Sequence, residues 1–236
     1  MQGEDNNKIQ VAVFDFDGTS IEGSSPSWLV NRLIFSRKIS PATTLKIGAW
    51  GIAYKWHLPQ KEAWVRGQVF RAFEGKPKEE VDRYLTNFYD EWIAKRFRPE
   101  ADKAMQARAD EGCEVVVVSA TFEPIVLRAM ESHPFTHQIS TRMKVAEDGT
   151  YTREVDGRCI EGDEKIVALK HWCDGRFGEG NWEIAYAYGD HHSDEPLLSA
   201  AKHPFAVTPN TGMEKIAKSR NWPILDWTID IPKKPH

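Results

Sequence analysis

Two carboxylates separated by one residue directly follow an apolar run near the start of the chain. The run Ile9–Phe14 leads into Asp15-Phe16-Asp17-Gly18-Thr19. Side chains alternate along a strand, so Asp15 and Asp17 point to the same side. A continuous apolar run is typical of a strand buried on both faces, as in a parallel sheet. A carboxylate pair at the end of such a strand, followed by a glycine turn, suits a site for Mg²⁺ and phosphate.

Three later segments carry groups that could join this pair. A second apolar run ends in Ser119-Ala120-Thr121, which offers a hydroxyl and backbone N–H groups to a phosphate. Lys165 stands at the start of a predicted helix, and a further apolar run ends in Gly189-Asp190 with Asp194 close behind. In an open parallel sheet, functional groups gather at the carboxyl ends of the strands. We therefore expect these groups to converge beside Asp15.

The elements that must position these groups alternate along the chain. The predicted strands are Ile9–Asp15, Val115–Ser119, His137–Val145, Ile184–Gly189 and Phe205–Thr208. Predicted helices Pro99–Glu111 and Ile166–Cys173 precede the second and fourth of them. This alternation predicts an α/β fold with a doubly wound, mostly parallel, Rossmann-like sheet. Around Asp148-Gly149 the pattern predicts a hairpin instead, in which Tyr151–Val155 returns beside Arg142–Val145.

The segment between the first two strands has a different character. It contains no β-branched run of strand length, and helix-start signals recur along it. Four helices are predicted: Pro26–Lys38, Pro41–Trp56, Pro59–Phe73 and Pro77–Phe97. We therefore expect an α/β core formed by residues 1–21 and 99–236, with an all-helical insertion at residues 22–98 that we call the cap.

The order of the four segments resembles a known family. D-F-D-G-T, then S-A-T, then a lysine, then G-D-x-x-x-D is similar to the four motifs of the haloacid dehalogenase (HAD) superfamily of phosphatases. The helical insertion after the first motif resembles the phosphoserine-phosphatase-like subfamily IB. The resemblance implies a HAD-like core and a Mg²⁺-dependent phosphomonoester hydrolase that forms an aspartyl-phosphate. It makes Asp15 the nucleophile and Asp17 the general acid, and then the general base.

The resemblance also implies a ligand set. Mg²⁺ would be held by the Asp15 carboxylate, the Asp17 backbone carbonyl and Asp190. The residues assigned to the phosphate are Gly18, Thr19, Ser119, Ala120, Thr121, Lys165 and Asp194, the last of which would orient Lys165 or a metal-bound water. Charge neutralisation is a physical requirement here, because two unit charges 4 Å apart interact by about 4 kcal/mol at an effective dielectric near 20.

Other interpretations of the same residues stay open. Asp-x-Asp-Gly also occurs in calcium loops, although such a loop needs a glutamate near its twelfth position and no buried strand before it. Asp190-His191-His192 spells the D-H-H triplet of another phosphoesterase family, but the further ligands of that family are not found. We expect the two histidines to line the rim of the site. The alternative functions are phosphoryl transfer to an alcohol acceptor and a non-catalytic module that binds a phospho-ligand or a membrane.

The substrate is only partly constrained. In phosphoserine phosphatases, an acidic residue nine positions after the nucleophile binds the substrate amine. Here that position is Ser24, with Glu22 two residues earlier, so phosphoserine is disfavoured. Residues 31–73 of the cap contain eight basic residues and one acidic residue, with Trp28, Trp50, Trp56 and Trp64 in or beside them. This composition indicates either an anionic partner, which could be a substrate with a second negative group or an anionic membrane surface, or a cap whose tryptophans pack its core and whose charges form its solvated face. A lipid phosphate stays among the candidate substrates.

The composition argues against several other classes of protein. With 236 residues, a formal net charge of -4 and a pI near 6.1, the chain is not expected to bind nucleic acid. No apolar stretch approaches the roughly 18–20 residues of a membrane span, and no secretory signal is seen. The three cysteines lack the spacing of a disulfide framework or a zinc site, so a cytoplasmic location is expected. The oligomeric state is left open.

Overall fold

A computed structural model describes residues 8–35 and 69–229 of the chain. Its strands are β1 (Ile9–Phe14), β2 (Glu114–Phe122), β3 (His137–Thr141), β4 (Met143–Val145), β5 (Tyr151–Val155), β6 (Trp182–Gly189), β7 (His203–Val207) and β8 (Ile224–Leu225). Six of them form one sheet in the order β3-β2-β1-β6-β7-β8, and every neighbouring pair is parallel. The predicted doubly wound parallel sheet is confirmed.

Helices cover both faces of this sheet. They are α1 (Ser25–Phe35), α2 (Lys78–Phe88), α3 (Pro99–Asp110), α4 (Glu123–Met130), α5 (Asp163–Phe177), α6 (Glu195–Ser199) and α7 (Thr211–Arg220). Residues 69–73 are also helical. A π-helical turn at Tyr89–Ile93 and a 3-10 turn at Ala94–Arg96 lead from α2 to α3. None of the helices in the two described ranges combines the length and the apolar character that crossing a membrane requires.

The central strand β1 divides its side chains between two hydrophobic clusters. Ala12 and Phe14 pack with α1, α2 and residues 69–73 on one face. Val11 and Val13 pack with α5 and α7 on the other face. All four side chains are completely buried. The period-two alternation of a strand buried on both faces therefore fixes β1 in the sheet, and the residues that follow it emerge at the carboxyl edge.

The hairpin departs from the predicted continuous strand. The run predicted as His137–Val145 is broken at Arg142, because β3 stays in the sheet while β4 pairs antiparallel with β5. β5 is held by the start of the α2 segment: Gly75 N–H donates to the Tyr151 carbonyl and Tyr151 N–H donates to the Lys76 carbonyl, each at 2.9 Å. These backbone bonds draw the hairpin away from the sheet.

The other differences concern the ends of elements. β8 was not predicted, and the single helix predicted over Pro77–Phe97 is interrupted by the π-helical and 3-10 turns. β2 continues through Phe122 instead of ending at Ser119, with a shift in register against β3 between these two residues. The helix predicted at Pro41–Trp56 lies outside the described residues, as does most of Pro59–Phe73.

Candidate active site

An ammonium group joins two carboxylates at the carboxyl edge of the sheet. Asp15 directly follows β1, Lys165 lies in the first turn of α5, and Asp194 follows β6. Lys165 Nζ donates to Asp15 Oδ1 and to Asp194 Oδ1, both at 2.6 Å. The three residues are 5%, 5% and 0% exposed, in the order Asp15, Lys165, Asp194. Lys165 lies 150 positions from Asp15 and 29 positions from Asp194 in the chain, and the three residues form one buried ionic cluster.

Asp190 brings a third carboxylate to this cluster. One oxygen each from Asp15, Asp190 and Asp194 lies within 4.8 Å of the others. Thr19 Oγ1 donates to Asp190 Oδ1 at 3.2 Å. A Cβ atom on Gly18 would lie 2.2 Å from Asp190 Oδ2, and the φ of Gly18 is +78°. Glycine is therefore required at this position both for the backbone turn and for the close approach of the carboxylate.

Burial, together with neighbouring carboxylates, raises the pKa values of Asp15 and Asp190. Burial raises the pKa of Asp15 well above its ordinary value; Lys165 opposes this shift, and Asp194 and Asp190 add to it. Burial, followed by the charge of Asp194, raises the pKa of Asp190 to about 7. For Lys165, burial alone would lower the pKa, but Asp15 and Asp194 together hold it above its ordinary value. Clustered acidic groups with raised pKa values form a site whose repulsion a divalent cation would relieve.

The oxygens of this cluster differ in their freedom to bind a cation. Asp194 Oδ1 accepts from Lys165, and Asp194 Oδ2 accepts from the backbone N–H of His191 at 3.1 Å. Among residues 8–35 and 69–229, no hydrogen-bond donor contacts the second oxygen of Asp15 or of Asp190. Carboxylate oxygens are the ligands that Mg²⁺ prefers. The donor set therefore fits Mg²⁺ on Asp15 and Asp190, with Asp194 oriented toward Lys165.

Asp17 lies among neutral donors instead. Ser25 contributes its backbone N–H at 2.5 Å from Asp17 Oδ1 and its hydroxyl at 3.1 Å from Asp17 Oδ2. The Thr121 hydroxyl also donates to Asp17 Oδ2. Burial raises the pKa of Asp17, and the hydrogen bonds from Thr121 and Ser25 oppose that shift. A carboxyl group with a raised pKa is suited to exchange a proton near neutral pH.

The predicted phosphate residues of the second motif lie at the end of β2. Ser119 is 1% exposed, and its hydroxyl accepts from the Thr121 N–H at 3.0 Å. Ala120 is half-buried between them. The contact between Thr121 and Asp17 shows that the end of β2 reaches the segment after β1.

Sequence reasoning missed three residues. Ser25 contacts Asp17, as described above. Arg98 is 3% exposed and donates to the carbonyls of Gly18, at 3.2 Å, and of Trp227. The Ser20 hydroxyl donates to the backbone carbonyl of Asp15 at 2.6 Å. The arginine ties the loop after β1 to the segment after β8.

The two histidines shape the turn that carries Asp194. His191 Nδ1 accepts from the Ser193 N–H at 3.3 Å, and the His191 and His192 ring centroids are 4.0 Å apart. The His191 N–H donates to Asp194 Oδ2 and closes the same turn. The described contacts of His191 are thus made with its own turn, next to the acidic cluster.

Arg32, Arg96 and Trp28 are residues of the cap that make contacts within the chain. Arg96 lies over the Trp28 ring, with 4.6 Å from the guanidinium carbon to the ring centroid. Arg32 pairs with Glu91 at 2.7 Å. These contacts favour packing as the role of Trp28 and Arg32. Trp50, Trp56 and Trp64 lie outside the described residues.

Comparison with known proteins agrees with this geometry. Residues 12–199 match the profile of the haloacid dehalogenase-like hydrolases. A histidinol-phosphatase of Neisseria meningitidis is 28% identical over 224 residues, which cover 92% of this chain and 98% of the relative. A phosphoserine phosphatase of Mycobacterium tuberculosis is 27% identical over 229 residues, which cover 92% of this chain and 71% of the relative.

A solved structure shares the fold. A protein of unknown function from Bordetella pertussis superposes with a TM-score of 0.82 at 21% sequence identity. The superposition covers 94% of this chain and 100% of the other. The layered arrangement of sheet and helices described above is therefore that of a known structural class.

Proposed function

The chain belongs to the haloacid dehalogenase-like hydrolases, as a phosphatase of the phosphoserine-phosphatase-like kind, and we propose that it hydrolyses phosphate monoesters through an aspartyl-phosphate on Asp15. The observation that carries the proposal is the contact of Lys165 Nζ with Asp15 Oδ1 at 2.6 Å in a buried site that also contains Asp190. A carboxylate can approach a phosphate dianion only where positive charge offsets their repulsion.

In the first half of the reaction, an oxygen of Asp15 attacks phosphorus. The bond between phosphorus and the ester oxygen breaks, and Asp17 donates its proton to the departing alcohol oxygen. The Lys165 ammonium and the N–H groups around Ser119 and Ala120 stabilise the charge on the phosphoryl oxygens. The raised pKa of Asp17 supports its role as the acid, because more of the carboxyl group is protonated at neutral pH.

In the second half, Asp17 acts as a base. Its carboxylate takes a proton from a water molecule, whose oxygen attacks the phosphorus of the aspartyl-phosphate. The bond between the phosphorus and the Asp15 oxygen then breaks, which releases inorganic phosphate and regenerates the carboxylate. Asp194 keeps Lys165 in place through its 2.6 Å contact during both halves.

The carboxylates of Asp15 and Asp190, with the backbone carbonyl of Asp17, would hold Mg²⁺ at this site. When bound, Mg²⁺ supplies positive charge that offsets the repulsion between the carboxylates and the phosphate. The contact between Thr19 and Asp190 at 3.2 Å orients one of the ligands. Gly18 leaves room for the Asp190 carboxylate.

For the substrate, we favour a small phosphate ester of a primary alcohol. The names of the two relatives point to histidinol phosphate and phosphoserine, which are both esters of this kind. Ser24 stands where an acidic residue would bind the amine of phosphoserine, so histidinol phosphate is tested first. A lipid-linked phosphate is the second class, with the cap of residues 22–98 choosing between them.

The test measures phosphate release from p-nitrophenyl phosphate, histidinol phosphate, phosphoserine and a lysophospholipid phosphate with Mg²⁺. Asp15→Asn and Asp17→Asn should each lower turnover at least about 100-fold, because each removes a group that takes part in bond making. Asp163→Asn, at an exposed position two residues before Lys165 in the same helical turn, is the matched control and should keep full activity. Full activity in Asp15→Asn would contradict the mechanism.

A further inference from the structure

We infer that Ser25 and Thr121 are positioning residues that aim the carboxyl group of Asp17 at the leaving-group oxygen of the substrate. The inference rests on the proposed function, since it takes Asp17 as the general acid. It goes beyond that function because it assigns the orientation of the acid to a residue in the first turn of a cap helix.

The contacts fix both oxygens of Asp17. The Ser25 N–H lies 2.5 Å from Oδ1, while the hydroxyls of Ser25 and Thr121 both donate to Oδ2. The two hydroxyl oxygens lie 2.8 Å from each other. Ser25 is 1% exposed and Thr121 is 3% exposed, so water does not replace these donors readily. With three donors on two oxygens, both torsions of the Asp17 side chain are restrained.

Capping of α1 does not explain the orientation of the Ser25 side chain. The neighbouring Ser24 takes that role, because its hydroxyl accepts from the Ser27 N–H at 3.4 Å. The hydroxyl of Ser25 is turned toward Asp17 instead. Its backbone N–H belongs to the first turn of the helix, where N–H groups have no partner within the helix, and it is used for the same carboxylate.

The two positioning residues come from separate parts of the chain. Ser25 is 8 residues from Asp17 and starts α1, whereas Thr121 is 104 residues away at the end of β2. The acid therefore has three restraints only while α1 is docked against the end of β2. In this way, the placement of the first cap helix is coupled to proton transfer in the core.

The test exploits the basicity of the leaving group. The value of kcat/KM reports the steps up to release of the alcohol, and p-nitrophenol leaves with much less help from an acid than phenol does. Ser25→Ala should lower kcat/KM for phenyl phosphate about 10-fold, against a change within about 2-fold for p-nitrophenyl phosphate. Thr121→Val should lower kcat/KM for phenyl phosphate about 10-fold more than for p-nitrophenyl phosphate, because a lost phosphate contact would affect both substrates equally. Ser25→Thr, which keeps the hydroxyl, should restore most of the loss.

Ser27→Ala is the matched control, because Ser27 is an exposed serine on the same helix and should change neither substrate. Thermal unfolding of each variant separates a loss of folded protein from a loss of positioning. Equal losses for both substrates in the two variants, or no loss in either, would overturn the inference. If Asp17→Asn itself keeps full activity on phenyl phosphate, the proposed function fails instead, so the two failures are distinguishable.

Discussion

Asp15 and Asp17 are two residues apart, yet their surroundings are opposite. Asp15 is paired with the ammonium of Lys165 and lies within 4.8 Å of two further carboxylates. Asp17 receives hydrogen bonds from Ser25 and Thr121, which carry no charge. Period-two alternation puts both side chains at the same edge of the sheet, but the elements that meet each of them differ.

The difference suits two chemical tasks. A nucleophile must be ionised when it attacks. Burial raises the pKa of Asp15 well above its ordinary value, and the adjacent ammonium group of Lys165 opposes that shift in favour of the ionised form. Asp17 must give and then take a proton. Burial raises its pKa, and the uncharged donors Thr121 and Ser25 oppose that shift without pairing the carboxylate with a full charge. Asp15 and Asp17 can therefore take different roles at the end of the same strand, because different residues surround each of them.

The largest expected effect comes from removing the charge on the Asp15 side. Lys165→Met leaves Asp15 and Asp194 buried without their ammonium, so we expect a loss of about 3–5 kcal/mol in the free energy of unfolding. Thr121→Val, on the Asp17 side, removes one neutral donor and should cost about 1 kcal/mol. Urea unfolding of both variants gives the comparison.

Lys170→Met is the control for that experiment, because Lys170 is an exposed lysine of the same helix. It should change the free energy of unfolding by less than about 0.5 kcal/mol. If Lys165→Met cost no more than Thr121→Val, the contrast between a charge-paired and a neutral carboxylate would be wrong.

A second, smaller effect concerns Mg²⁺ binding and the close approach of Gly18 to the Asp190 carboxylate. Gly18→Ala places a Cβ atom 2.2 Å from Asp190 Oδ2, so it should raise the Mg²⁺ concentration for half-maximal activity about 10-fold. Gly75→Ala is matched, because Gly75 has a φ of +70° against +78° but no atom within 4 Å of the added Cβ. A similar shift in Gly75→Ala would show that backbone strain, and not the contact, is responsible.

The smallest effect concerns pH. The pKa of Asp190 is raised to about 7 by burial and by Asp194, compared with about 3.9 for an unfolded chain. In metal-free protein, its contribution to stability is therefore complete below about pH 4 and is lost as the pH rises through about 7. Bound Mg²⁺ favours the ionised carboxylate, so the Mg²⁺-induced rise in Tm should grow from about pH 5 to about pH 8. In Asp190→Asn the rise should be smaller and nearly constant with pH.

The positions of the charged groups at the sheet edge followed from local pattern. Asp15, Asp190 and Asp194 each follow an apolar run, and parallel strands place their carboxyl ends at one edge. Lys165 lies in the first turn of a predicted helix on that edge. The pattern of strands and turns is enough to predict these positions, because they do not depend on contacts between distant parts of the chain.

The residues that were missed depend on distant contacts. Arg98 binds the carbonyls of Gly18 and Trp227, which are 80 and 129 positions away, and an isolated arginine before a proline has no distinctive pattern. Ser25 resembles an ordinary helix cap, and only its contact with Asp17 distinguishes it from Ser24. The break at Arg142 has the same origin, because hydrogen bonds from residues 75 and 76 divert the hairpin.

The most direct measurement traps the phosphorylated enzyme. Wild-type protein is mixed with p-nitrophenyl phosphate and Mg²⁺, quenched in acid within one turnover, digested and analysed by mass spectrometry. We expect the mass of one phosphoryl group on the peptide that contains Asp15, and its absence from the same peptide of Asp15→Asn. A phosphoryl group on any other residue, or rapid turnover by Asp15→Asn with no phosphoryl group on the Asp15 peptide of the wild type, would contradict this mechanism.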